Sequence, residues 1–424
     1  MQKIILCCIC LIFIFSTFPI SFAQQVYIPL NESTENNGII FLIFNFSLLI
    51  IIILFLKNKI PSSIKNKFKK IYSFELSKRK TILIMCIIFS AYIIISINEL
   101  DDNEEYFSDS KGVFDAAKTF DILEVGLTHA VIKYYLLNLS IELFDNIRII
   151  PFIASNLVLV ISYLITKEIT KKRFAGIISI LVILQSSLFL KYDTTATYDN
   201  FCVLFYFISI YLIIKLPYLS SFVFIFSVLS KGLTVLFLPF TLFFISRSEI
   251  SKNKKIFSYI SYIIIIIIGL IATTTNRFTD ILHEFSSREF VTGFKQFSMF
   301  LSNDLFIIIA ILPLTIGLFF ISRKGNRYAD PLQIMIAGIL LVAPILMSFT
   351  TLSNHDYRMI PLVIAFAIGI GTLFSNVHLV HIKKSDKYIS TIVFVITVSI
   401  VGINILSVVF PDLIKRRFFL ELFI

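Results

Sequence analysis

The sequence predicts an all-α polytopic membrane protein, and three observations carry that expectation. Hydrophobic residues make up 57% of the 424-residue chain and charged residues only 15%, against about 45–50% and about 25% in a soluble globular domain. Mean hydropathy is +0.89. Apolar runs of about 17–25 residues, the length needed to cross a hydrocarbon core, recur between short basic or polar breaks. Little chain remains for a sizeable soluble domain.

The first element reads as a secretory signal over residues 1–23. Lys3 supplies the positive start, Ile4–Phe18 the apolar region, and Ser21-Phe22-Ala23 a small-x-small cleavage site. An uncleaved signal anchor fits the same pattern. Either reading puts Gln24–Asn37, with the glycosylation triplet Asn31-Glu32-Ser33, on the outer side. A span near Ile39–Leu56 then leads inward to Lys57–Lys80, which holds nine Lys/Arg and one acid, Glu75. Such a segment is cytoplasmic by the positive-inside rule. Residues 24–80 are therefore an extra N-terminal span with a basic cytoplasmic segment.

The span Thr81–Ile97 returns outward and delivers a large external loop, Asn98–Ile147. Later basic breaks at Lys167–Arg173, Arg247–Lys255, Arg323–Arg327 and His378–Lys387 fall inside. Lys191–Asp199, Thr273–Asn303 and Thr350–Arg358 fall outside. The run Leu216–Ile245 fits two short spans meeting near Ser230-Lys231-Gly232, with Lys231 at the outer face. The total is about twelve spans, with a core over residues 81–374. A last span and an amphipathic tail occupy residues 375–424, where Lys415-Arg416-Arg417 ends outside.

The net charge of +11 is accounted for by these basic breaks, so no nucleic-acid partner is expected. Membrane lipids are the expected surroundings. The five cysteines do not form a disulfide framework or a thiolate metal site. Cys7, Cys8 and Cys10 lie in the signal segment, and Cys86 and Cys202 lie within spans.

Chemistry is expected at the outer interface. The first external loop carries eleven acids between Glu99 and Asp145, against three lysines. Asp101-Asp102-Asn103-Glu104-Glu105-Tyr106 begins where a span leaves the membrane. Carboxylates there can act as general base toward a hydroxyl or hold a divalent cation; a solvated loop that orients the spans is the plainer alternative. Gly126-Leu127-Thr128-His129 precedes Ala130–Phe144, an apolar helix too short to span and expected along the outer surface. Tyr198 and Asp199 bring a second carboxylate to the mouth of another span. Lys231, Arg277, Arg288 and Arg358 are the cations on this side, and guanidinium binds phosphate oxygens with paired hydrogen bonds. Neither a Walker-type nor a Rossmann glycine loop is present.

Several segments match motifs in a fixed order. Asp102 and Tyr106 fit an acidic motif followed by Tyr after a span. His129 fits the basic residue of a turn that introduces a surface helix, and Tyr134-Tyr135-Leu136-Leu137 fits the run that follows. Arg148-Ile149-Ile150-Pro151 fits an Arg-x-x-Pro/Ser span start, and Phe189–Leu204 a Phe-x-x-Tyr…Arg-Tyr-Asp-x-x-x-x-Phe stretch with Asp199 as its Asp. Leu229-Ser230-Lys231-Gly232 fits Leu-Thr-Lys-Gly, and Ser353–Pro361, with Tyr357 and Arg358, a late external Tyr-x-x-Pro segment. Over Thr81–Phe374 the chain thus resembles the GT-C superfamily of membrane glycosyltransferases, in its protein O-mannosyltransferase and aminoarabinose (lipid A) transferase branch. Two departures stand out: Asn103 replaces the usual Glu, and Ala130-Val131 replace two prolines.

The resemblance implies a GT-C-like bundle of about twelve transmembrane helices whose large first external loop carries surface helices. It implies a plasma-membrane enzyme, with its site facing outside, that uses a polyprenyl-phosphate-linked sugar donor and a protein, lipid or glycan acceptor hydroxyl. Asp102 becomes the expected base, with Asp101 or Glu104 as substitutes and Asp199 positioning the acceptor. His129, Tyr106, Tyr198, Lys231, Tyr357 and Arg358 become the expected substrate contacts. No cofactor is firmly implied, although a divalent cation can join the carboxylates. A transporter or flippase of envelope lipids or glycans, and a non-enzymatic membrane scaffold, compete with this reading. A transporter would place ionisable groups near mid-membrane rather than at the interface. An oligosaccharyltransferase is disfavoured by the absence of Trp.

Overall fold

The computed structural model describes residues 73–101, 110–120, 130–196, 200–274, 284–302, 304–349, 355–375 and 384–409, with single positions at 47, 50 and 54. All regular structure among them is helical. Helix α1 (Lys78–Ser96) continues as a 3-10 turn, Ile97–Asp101. Then come α2 (Ser110–Lys118), α3 (Val131–Phe144), α4 (Ile149–Thr170), α5 (Arg173–Leu184), α6 (Ser187–Tyr192) and α7 (Asn200–Lys215). Next are α8 (Pro217–Ser230), the 3-10 helix Gly232–Phe237, α9 (Leu238–Arg247), α10 (Lys252–Thr274) and α11 (Ser287–Ser302). The chain closes with α12 (Leu305–Arg323), α13 (Ala329–Phe349), a 3-10 turn at Asp356–Met359, α14 (Ile360–Thr372) and α15 (Lys384–Val409).

Among the described residues five segments are long and apolar enough to cross a membrane: Lys78–Asp101, Ile149–Thr170, Phe306–Arg323, Ala329–Phe349 and Ser385–Val408. Four shorter apolar helical segments, among them Asn200–Lys215 and Pro217–Ser230, accompany them among the described residues. The pattern of burial follows the helical period. On α1 only Thr81, Ile84, Ile88, Tyr92 and Ser96 are buried, one stripe at three- and four-residue spacing. Ile82, Leu83, Ile87 and Ile94 on its other faces are exposed, as on a peripheral helix that presents apolar side chains to lipid.

At the other extreme, α14 is apolar all round and buried from Ile360 to Gly369, the expected state of a helix with no polar face. It packs against α5 and α13. At Gly371 an added Cβ would meet Thr166 Cγ2 at 2.5 Å and the Ala175 backbone oxygen at 2.8 Å. A glycine there lets two backbones approach, the usual device of helix contacts within membranes.

The apolar run 216–245 is broken at Lys231, whose extended backbone (φ −156°, ψ 114°) ends α8. At the far end of α8, Lys215 Nζ lies 2.7 Å from Glu168 Oε2. The chain after Lys231 returns through α9 to that same end. There Arg247 Nη2 meets Asp330 Oδ2 at 2.6 Å and Nη1 meets Asp386 Oδ1 at 2.7 Å. Arg327 holds the other Asp386 oxygen at 2.8 Å, and Ser322 and Ser390 both donate to Asp330. This buried network ties α9, α12, α13 and α15 together at the end of the bundle opposite Lys231.

Candidate functional site at the Lys231 end

The second end of the bundle begins with α1. Its last buried residues, Tyr92 and Ser96, donate to Asp193 Oδ2 at 2.6 and 3.0 Å. The 3-10 turn that follows is held by its backbone oxygens: Arg148 Nη1 donates to Glu99 O at 2.7 Å and Asn146 Nδ2 to Leu100 O at 2.9 Å. Asn146 Oδ1 in turn accepts from the Arg148 N–H, which fixes both donors at the start of α4. Asp101, the last residue of the turn, is exposed.

Helix α6 supplies the facing segment. It starts because Ser186 caps it, accepting from the Phe189 N–H, and it ends at Asp193. The Asp193 carbonyl accepts from Ser155 Oγ at 2.7 Å and from Asn200 Nδ2 at 3.3 Å. Thr194 Oγ1 lies 3.4 Å from both Glu99 Oε2 and Arg148 Nη1. The chain segments that lead into the two acidic stretches, one after Asp101 and one after Ala196, thus leave from a single buried knot.

Asp193 is 1% exposed. Burial pushes its carboxyl up to about 7, while the Tyr92 hydrogen bond pulls it down, the Glu99 charge pushes it up and the Ser96 bond pulls it down. A carboxyl raised in the folded state binds its proton more tightly there than in the unfolded chain. Its stabilising contribution is therefore complete below the ordinary carboxylate range and is lost as pH rises through about 7. Asp193→Asn cannot ionise, so its melting temperature in detergent should gain on wild type between about pH 4 and pH 7. A constant difference across that range would refute the assignment.

From the same helix, Lys191 Nζ lies 2.8 Å from Asp356 Oδ2, and Tyr192 OH donates to the other oxygen of that carboxylate. Tyr192 meets Tyr357 edge-on, with ring centroids 5.9 Å apart. His355 stacks on Tyr357 at 5.2 Å, and Lys231 Nζ sits 4.8 Å from the Tyr357 ring centre.

Behind Tyr357 opens a cleft of about 530 Å³, the space at its mouth included. Val203, Phe237, Phe297, Ile339 and Leu346 form apolar walls. Its polar side consists of Lys231, Tyr357 and Arg358, with Thr234 close by. Arg358 Nε and Nη1 are buried and have no hydrogen-bond acceptor among the described residues. Buried guanidinium donors are costly to leave without an acceptor, and an anionic group in this cleft would supply one.

Three expected site residues, Lys231, Tyr357 and Arg358, are therefore brought together although more than a hundred positions separate the first from the others. Asp102, Asn103, Glu104, Tyr106, His129, Tyr198 and Asp199 lie outside the described residues. Glu99, Asp193 and Asp356 take part in the geometry without having been singled out as site residues. Asp193 carried one legible signal, an acid shortly after the apolar triplet Leu188-Phe189-Leu190. Among the described residues no group of three His, Cys, Asp or Glu side chains could hold a metal ion. No protein-family model matches the chain, and no curated protein or solved structure matches it either.

Proposed function

We propose that this protein is a membrane glycosyltransferase of GT-C type, which moves a sugar from a polyprenyl-phosphate donor to an acceptor hydroxyl at the outer face of the membrane. The observation that carries this reading is the cleft: its walls are largely apolar, Lys231 and Arg358 are among its lining, and two buried Arg358 nitrogens lack an acceptor among the described residues. An isoprenoid phosphate has the matching chemistry, an apolar tail with an anionic head. The order of motifs from Thr81 to Phe374 supports the same class.

In the proposed reaction Asp102 accepts the proton of the acceptor hydroxyl, with Asp101 or Glu104 able to substitute. The hydroxyl oxygen forms a bond to the anomeric carbon while the bond from that carbon to the phosphate oxygen breaks. Lipid phosphate leaves with the bonding pair, and Lys231 and Arg358 balance its charge. A single displacement of this kind inverts the anomeric centre. Asp199 orients the acceptor.

The test is sugar transfer in proteoliposomes supplied with radiolabelled polyprenyl-phosphate sugars. Wild type should move label to an acceptor, and Asp102→Asn and Asp199→Asn should each transfer at least about a hundredfold less, the scale of a lost general base. Full transfer by both variants would overturn the site, and label that crosses the bilayer with its phosphate bond intact would instead identify a flippase.

A further inference from the structure

We infer that Asp193 is a positioning residue, which sets how the 3-10 turn Ile97–Asp101, the start of the acidic segment, leaves helix α1. The inference rests on the proposal above that this segment supplies the base. Asp193 itself is 1% exposed and does not line the cleft, so it does not touch substrate there.

Its hold on the segment is specific. One oxygen accepts from both Tyr92 and Ser96 in the last turn of α1, and the 3-10 turn that carries Asp101 begins at the next residue. The same residue's carbonyl is fastened by Ser155 of α4 and Asn200 of α7. Asp193 is thus anchored to two helices of the bundle while it grips the end of a third. Helix α1 benefits from such a grip because only one stripe of it is buried. Arg148 and Asn146 hold the backbone of the turn and Thr194 touches the Glu99 side chain, while Asp193 holds the last turn of α1 from which it springs. The other carboxylate oxygen, Oδ1, has no hydrogen-bond partner among the described residues. An asparagine amide could therefore take its place while the side-chain oxygen keeps both bonds.

The experiment compares wild type with Asp193→Ala, Tyr92→Phe and Asp193→Asn as full-length protein in nanodiscs. Two readouts are taken: steady-state transfer from a labelled polyprenyl-phosphate sugar, and hydrogen–deuterium exchange of residues 97–101. Loss of these buried hydrogen bonds should speed exchange in that turn about tenfold in Asp193→Ala and Tyr92→Phe, with the core of α14 unchanged. Both variants should lower kcat at least about tenfold with KM for the donor within about twofold, because the base is displaced and the cleft is not. Asp193→Asn should recover most of the lost kcat and most of the protection. A residue that merely stabilised the fold would change exchange in α14, or raise KM and lower kcat together, and either result overturns the inference. So does unchanged exchange at 97–101. If wild type transfers no sugar while the turn responds as stated, the glycosyltransferase reading fails and the positioning of the turn stands.

Discussion

Replacing Arg247 by alanine should lower the stability of the folded protein by about 3–5 kcal/mol, the cost of leaving a buried carboxylate without its counter-charge. The Arg247 side chain is 5% exposed and that of Asp330 is not exposed at all. Among the described residues, removing the guanidinium leaves Asp330 hydrogen-bonded to two serine hydroxyls and Asp386 to Arg327. The loss should read as a lower midpoint in detergent unfolding followed by size-exclusion chromatography. Arg327→Ala is the contrast: its side chain is 40% exposed, and removing it should cost under about 1 kcal/mol. Exchanging both buried partners, Arg247→Met with Asp330→Leu, should regain most of the loss, because apolar side chains of similar volume avoid the desolvation of two charges. An Arg247→Ala variant within about 1 kcal/mol of wild type would show that the network does not hold these four helices.

The second large effect concerns the cleft. Arg358→Ala should weaken binding of a fluorescent polyprenyl phosphate about 10- to 100-fold, the scale of one or two charge-assisted hydrogen bonds. Lys231→Ala should weaken it less, since an ammonium offers a point charge without the paired donors of a guanidinium. Arg358→Lys should fall between wild type and Arg358→Ala for the same reason. The apolar tail alone would still partition into the bilayer, so the comparison needs dolichol-type alcohol without phosphate as a control. Its binding should be equal in all variants. Unchanged phosphate affinity in both alanine variants would place the donor elsewhere.

Lys231 shows how sequence and structure divide the work. A polar Ser-Lys-Gly interruption in an apolar run of thirty residues is legible without coordinates, because an uninterrupted helix of that length would overshoot a bilayer. What it faces is not legible. Tyr357 and Arg358 lie beside it only because α8 and α14 end at the same level of the bundle, and nothing local to either segment encodes that. Asp356 was passed over for a related reason: within its own segment it is one more loop acid, and its partners Lys191 and Tyr192 sit 165 and 164 positions away.

The membrane class and the helical state were determined by the sequence alone. Apolar length and the 3.6-residue period are local properties, and water or lipid selects for them wherever the segment ends up. The partners of buried charge were decided only by the tertiary structure. Asp193 meets Tyr92 across 101 positions and Arg247 meets Asp386 across 139. Pairings at such separations depend on which helices pack together, so the chemistry of a buried carboxylate becomes readable only once the bundle has formed around it.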